Sequence, residues 1–156
     1  MVGLERAVEF YVRGAPIPQG SLTAHAHKRK DNTIYASVHY EVGSKLHRWR
    51  RSIAVAARDE WGEQPTYHHV RLTLTFYMKR PLSHYKGIDF GLKPRYDRVA
   101  HETAPDLDKL VRAVMDALSE VIYADDKQVT EIVARKIYVP QYEWPEGVQI
   151  VVRAVP

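Results

Sequence analysis

The chain has 156 residues, 45% of them hydrophobic and 27% charged, the balance of an ordinary globular protein long enough for a proper core. It contains no cysteine, which excludes disulfide frameworks and zinc sites built on thiolates. The formal net charge of +4 is unevenly spread, with ten Lys/Arg against four Asp/Glu in residues 1–58 and six against ten in residues 101–156. That asymmetry fits a polyanion held near an acidic site, and fits an unevenly charged solvated surface equally well. The opening MVGLERAVEFYVRG carries charges throughout, and no window reaches membrane-spanning length. The expectation is one soluble, cytoplasmic domain over 1–156, with no membrane partner.

Residues 6–12 alternate, with Val8, Phe10 and Val12 on one face, and predict a strand. GAPIPQGS then breaks regular structure and leads into a polar, basic run, HAHKRKDN, expected to be a loop. A helix is predicted from Ser44 to Trp61, because Leu46, Trp49, Ile53, Ala56, Ala57 and Trp61 recur at three- and four-residue spacing; Ser44 can cap it and Gly62 can end it. Val70, Leu72, Leu74, Phe76 and Met78 alternate with polar residues in the clearest strand of the chain. From Arg80–Pro81 to about residue 104 no period holds, and a loop of that length is commonly functional or disordered. A second helix over 106–120 carries the stripe Leu107, Leu110, Val114, Ala117, Leu118 and Val121. Residues 129–139 and 148–155 read as strands joined in a hairpin by the turn-rich PQYEWPEG. Together these predict an α+β fold, a two-layer sandwich with a small mixed sheet and two main helices on one face.

The chemistry concentrates around the second helix. Asp106 and Asp108 stand at its start in PDLDKL, and Asp125 and Asp126 follow its end in YADDKQV. Each is explicable without function, since acids in a first turn complement the helix dipole and Asp is a common turn residue. Jointly they match hard-cation chemistry: Mg²⁺ takes oxygen ligands, and such ions assist phosphodiester cleavage. The difficulty is length, because a helix of about fourteen residues separates its ends by roughly 20 Å.

PDLDKLVRAVMDAL followed by YADDKQV resembles the signature of the RusA family of Holliday-junction resolvases: a D-x-D at a helix start, a basic residue four positions on, then Asp-Asp-x-Gln. The segment GAPIPQGS is similar to the family's opening. The resemblance implies that Asp106, Asp108 and Asp126 are catalytic and hold the metal, Mg²⁺ or else Mn²⁺, with Asp125 as a further ligand or outer support. It places Arg112 where the family has a basic residue, typically Lys. Arginine cannot donate a proton at neutral pH, so its role there would be charge stabilisation of the scissile phosphate. Lys109 stands where many members have Asn.

The resemblance also implies that the fold gathers both ends of the helix into one acidic pocket. Carboxylates that close would raise one another's pKa in the metal-free protein. Branched DNA, a four-way junction first of all, is the implied substrate. A symmetric homodimer would match two active sites to the two paired cuts that resolution needs. Members are often carried by phages and prophages. The alternatives are a metal nuclease for other branched DNA, such as flaps or forks, and a non-catalytic DNA-binding protein whose acids merely cap the helix.

Candidate DNA contacts are Lys28, Arg29 and Lys30, beside His25 and His27, in the basic run; Arg48, Arg51 and Arg58 on the first helix; and Lys86, Lys93 and Arg95 in the long loop. There Tyr85, Phe90 and Tyr96 interleave with the cations, a mixture that suits unpaired bases.

Overall fold

The computed structural model describes residues 5–20, 22–40, 44–87 and 91–156, with backbone alone at 22–25, 36–40 and 44. In chain order the elements are β1 (Arg6–Arg13), β2 (Leu22–Lys28), β3 (Ile34–Tyr40), α1 (Ser44–Trp61), β4 (His69–Met78), β5 (Tyr85–Lys86), β6 (Gly91–Leu92), α2 (Leu107–Leu118), β7 (Val129–Tyr138) and β8 (Gly147–Val155).

The alternation seen in the sequence becomes one apolar sheet face. Phe10 pairs across to Ile150, and Ile150 to Leu74, so these side chains lie on the same side. Trp49, Ile53, Ala57 and Trp61 of α1 join Leu110, Val114 and Leu118 of α2 in a single buried cluster with them. Both helices therefore cover the same face of a four-stranded mixed sheet, as the periodicity predicts. Gly62 ends α1 as expected, at a φ of 101° with its N–H on the Arg58 carbonyl. Among the described residues no helix is long and apolar enough to cross a membrane.

Strand order departs from expectation. The sheet runs β1-β8-β4-β7, so β7 and β8 do not form a hairpin; β4 lies between them, parallel to β7 and antiparallel to β8. The link 139–146 crosses over one strand, a step of about 10 Å that eight residues span with ease. Burial shows why the order is favourable. β8 buries Val148, Ile150, Val152 and Ala154 completely or nearly so and takes a central place. β7 carries Glu131, Arg135 and Lys136 and leaves Ile132 and Val133 exposed, as an edge strand can. β8 starts at Gly147, where a Cβ would collide with the Val12 carbonyl and the Tyr11 ring.

Two stretches expected to be loops are structured. The basic run lies in a β2–β3 hairpin, with His25 pairing Ser37 and Lys28 pairing Ile34. Its turn uses Asn32 at a φ of 67° and an Asp31 carboxylate that accepts from Thr33. Small residues such as Ala24, Ala26 and Ala36 hide the alternation that would have announced these strands. The stretch after Arg80 forms a short β5–β6 ribbon between single helical turns. Ring stacking fixes it: His84 lies flat on Tyr96 at 3.9 Å, while His101 and the Arg80 guanidinium pack on Tyr138. Phe90 lies outside the described residues.

Candidate active site

The start of α2 is held from two sides. Lys136 of β7 donates to the carbonyls of Thr103 (2.6 Å) and Pro105 (2.8 Å), fixing the chain just before the helix. The Gln19 N–H, from the GAPIPQG segment, donates to the Lys109 carbonyl at 3.0 Å. The Gln19 side chain is buried there, and its Oε1 has no partner among the described residues. Neither Gln19 nor Lys136 stands out in the sequence; a lysine on the helix-facing side of β7 and a Gln inside a Pro/Gly turn are the only signals.

Asp106 occupies the residue before the first helical turn, in extended conformation, yet its carboxylate caps no helix N–H. It points to Lys109, whose Nζ lies 3.0 Å away; Asp106 is exposed and Lys109 partly so. The Lys109 hydrogen bond and charge, with Lys136 adding, hold the Asp106 carboxyl below the usual carboxylate range. The ammonium of Lys109 is pushed up in return. Asp108 is exposed in the first turn of α2. This end of the helix thus presents two open carboxylates among cations, and helix capping does not account for Asp106.

The other end is built differently. Asp125 caps the helical turn Asp126–Gln128, accepting from the Lys127 N–H at 2.9 Å, while Gln128 Oε1 accepts from the Asp125 N–H. Gln128 also donates to the carbonyls of Thr66 and His68, tying the turn to the segment before β4. The Lys127 N–H and ammonium lower the Asp125 carboxyl. Asp125 therefore has a structural task. Asp126 is exposed, and the carboxylate whose ionisation it disfavours is Asp116. Asp116 is half-buried in the groove between α1 and α2, 3.9 Å from Arg50. Burial pushes its carboxyl up, Asp126 adds to that, and Arg50 and Arg112 oppose it. The Tyr123 hydroxyl, buried beneath, donates to the Met115 carbonyl at 2.8 Å and is pushed far up by burial and then by Asp126 and Asp116.

The four acids expected to form one pocket thus divide between two ends. From Asp108 to Asp116 is two helical turns, about 12 Å, and Arg112 lies between them on the same face. Among the described residues, no three His, Asp or Glu side chains come close enough together to share a cation. The predicted mutual rise in pKa does not occur at Asp106, because its near neighbours are Lys109 and Lys136 rather than other acids. The acid that is raised is Asp116, which was not among the expected site residues; burial is the larger cause, with Asp126 adding to it.

Residues 16–152 match the family described as Endodeoxyribonuclease RusA. The chain belongs to the RusA family. It is an endodeoxyribonuclease, and the non-catalytic alternative is set aside. It is also 27% identical over 131 residues to an uncharacterised protein, YqaN, of Bacillus subtilis (strain 168), a match covering 84% of this chain and 87% of that one.

The RusA match takes in the expected DNA contacts too. Lys28, Arg29 and Lys30 are exposed at the β2–β3 tip, where the Arg29 guanidinium covers the Tyr35 ring at 4.8 Å. Arg48, Arg51 and Arg58 are exposed on the outer face of α1. Lys86 is exposed on β5, but Lys93 donates to the Ser83 carbonyl and Arg95 lies over Tyr96, so both also brace the 81–104 segment.

Proposed function

We propose that this RusA-family enzyme resolves four-way DNA junctions as a metal-dependent homodimer whose active site uses Asp106 and Asp108 of one copy and Asp126 of the other. The observation that carries this reading is the separation of the carboxylates along α2. Asp106 and Asp108 are open to solvent, and such a pair suits Mg²⁺ or Mn²⁺, which bind through one or two carboxylates with water and phosphate completing the shell. When bound, such a cation offsets charge on the scissile phosphate and makes water a better nucleophile. Arg112 and Lys109 supply fixed positive charge for the flanking phosphates, and Lys136 keeps the Asp106 backbone in place. Arg112 remains charged throughout and acts by electrostatics.

The exposed edge strand β7 supports a route to the dimer. Its outer edge pairs with no strand among the described residues and leaves Ile132 and Val133 exposed. If two β7 strands paired antiparallel about a two-fold axis, Asp126, just before one strand, would approach the end of the other that Lys136 fastens to α2. The arms Lys28–Lys30 and the α1 face Arg48, Arg51 and Arg58 would then flank the bound duplex arms.

Mixing two inactive variants tests the shared site. Asp108→Asn and Asp126→Asn are each inert alone in this reading. Co-refolded together, half of the molecules become mixed dimers with one intact site, which nicks one junction strand in the presence of Mg²⁺. Absence of nicking from the mixture, with light scattering showing dimers, would place all three carboxylates in one copy. A flap or fork cut faster than a four-way junction would favour the other branched-DNA reading.

A further inference from the structure

We propose that a cavity at the C-terminal ends of β4 and β7 takes a single unstacked DNA base, held against Trp144 and Tyr142. The inference rests on the chain's DNA-cleaving activity and adds a base-binding site to it. The cavity is about 220 Å³ and is lined by Tyr85, Tyr142 and Trp144, with Lys79, Arg80 and Glu146 as its charged members. That volume is below the roughly 300–1,000 Å³ of pockets for drug-sized ligands, and suits one flat heterocycle.

Three features favour a base over an aliphatic or peptide occupant. Its walls include aromatic rings set at an angle, with Tyr85 meeting Tyr142 edge-on at 88°, and Trp144 is backed by Tyr77 outside the cavity. Trp144 and Tyr142 remain 43% and 39% exposed, so part of each ring is open to a stacking partner. The exposed ammonium of Lys79 stands beside the rings, which pairs a phosphate contact with a stacking surface, the combination that binds single strands without sequence preference.

The cavity is also rigid. Arg80 in its lining is buried, donating to the Tyr96 carbonyl at 2.8 Å and lying over Tyr138 at 4.7 Å. Tyr11 Oη donates to the Pro145 carbonyl at 2.5 Å, and the Val139 N–H donates to the Met78 carbonyl. The rings are therefore prearranged, and binding needs little further ordering.

Position supplies the functional link. The cavity and the start of α2 share one end of the sheet, since Lys136, two residues before Tyr138, is bonded to Thr103 and Pro105. A base leaving the stack at a branch point would enter the cavity while the adjoining backbone faces Asp106 and Asp108. Base stacking is interrupted at a branch point and continuous along a duplex, so the cavity would favour branched over linear DNA.

The experiment uses the full chain and its own fluorescence. Of the three tryptophans, Trp49 and Trp61 are buried, so quenching by a ligand reports on Trp144. Oligothymidylate should quench the emission, and the same oligomer with abasic positions should bind roughly tenfold more weakly without quenching. Trp144→Ala should weaken binding of the intact oligomer by a similar factor, Trp144→Phe should recover most of it, and neither should alter binding of the abasic oligomer. Tyr142→Ala serves as a second variant should Trp144→Ala fold poorly. Equal affinity for the two oligomers, or quenching by both, overturns the base site while leaving DNA cleavage intact. Failure to bind any DNA at low salt overturns the nuclease reading, and the base site with it.

Discussion

The two ends of α2 carry the same residue type in opposite electrostatic settings. At the start, Asp106 sits in the open beside Lys109 and Lys136, and ionisation is favoured. At the finish, Asp116 is half-buried with Asp126 as a neighbour, and ionisation is disfavoured despite Arg50. An acid's role follows from what surrounds it: the first end is arranged to present charge, the second to hold it near another. Only the first resembles a ready cation site, so the second requires something further, which in our proposal is a second copy of the chain.

The largest expected difference is in cleavage. Asp108→Asn should reduce junction cleavage by about 10³-fold or more, the value of several kcal/mol of transition-state stabilisation, and leave junction binding intact. The same change should alter the fold by no more than the roughly 0.3–1 kcal/mol of a first-turn dipole interaction. An active Asp108→Asn enzyme would remove the α2 start from the chemistry.

Next comes the basic face of α1. The triple Ala variant of Arg48, Arg51 and Arg58 should lower the slope of log K against log salt by roughly 0.9 for each phosphate it no longer neutralises. An unchanged slope returns the outer face of α1 to a merely solvated role.

Smaller effects separate scaffold from site. Lys136→Met removes the donor to two carbonyls and should cost about 1.5 kcal/mol in urea unfolding, with slower cleavage because Asp106 is displaced. Asp125→Ala removes a cap and should lower the melting temperature slightly while cleavage holds. If cleavage instead collapses in Asp125→Ala at modest stability loss, Asp125 is a ligand and not only a cap.

The smallest effect has opposite signs at the two ends. Asp106 has a depressed folded pKa against about 3.9 unfolded, so its contribution is present above that value and is lost as pH falls through the folded pKa. Asp106→Asn should therefore melt lower than the parent at pH 7 and converge with it in acid. Asp116 has a raised folded pKa, so its contribution is complete below about 3.9 and is lost as pH rises through the folded value. Asp116→Asn should match the parent in acid and melt higher at pH 7. Melting curves over this range check both, and shifts of the same sign would erase the contrast.

Much of the fold was legible because its signals are local. The stripe from Leu110 to Leu118 and the alternation from Val70 to Met78 are set by the helix and strand periods, and both faces turned inward as read. The β2–β3 hairpin was not legible, since its alternation runs through alanines and polar residues that periodicity does not distinguish from a loop. The D-x-D and the Asp-Asp pair were legible as residue types at a spacing. Their neighbours were not: Lys109 on Asp106, Asp126 beside Asp116, and Lys136 beneath the helix start depend on side-chain direction and on strands remote in sequence.

What the sequence determined by itself was β1, α1, β4, α2, β7 and β8, the shared apolar face and the placing of acids at both ends of one helix, because each is a matter of spacing along a few turns. Tertiary structure alone decided that β4 separates β7 from β8, that Lys136 fastens the start of α2, and that Asp116 is the acid beside Asp126. Those outcomes depend on which strands find the centre of the sheet and how the connection after α2 returns to it, distances that no local period encodes.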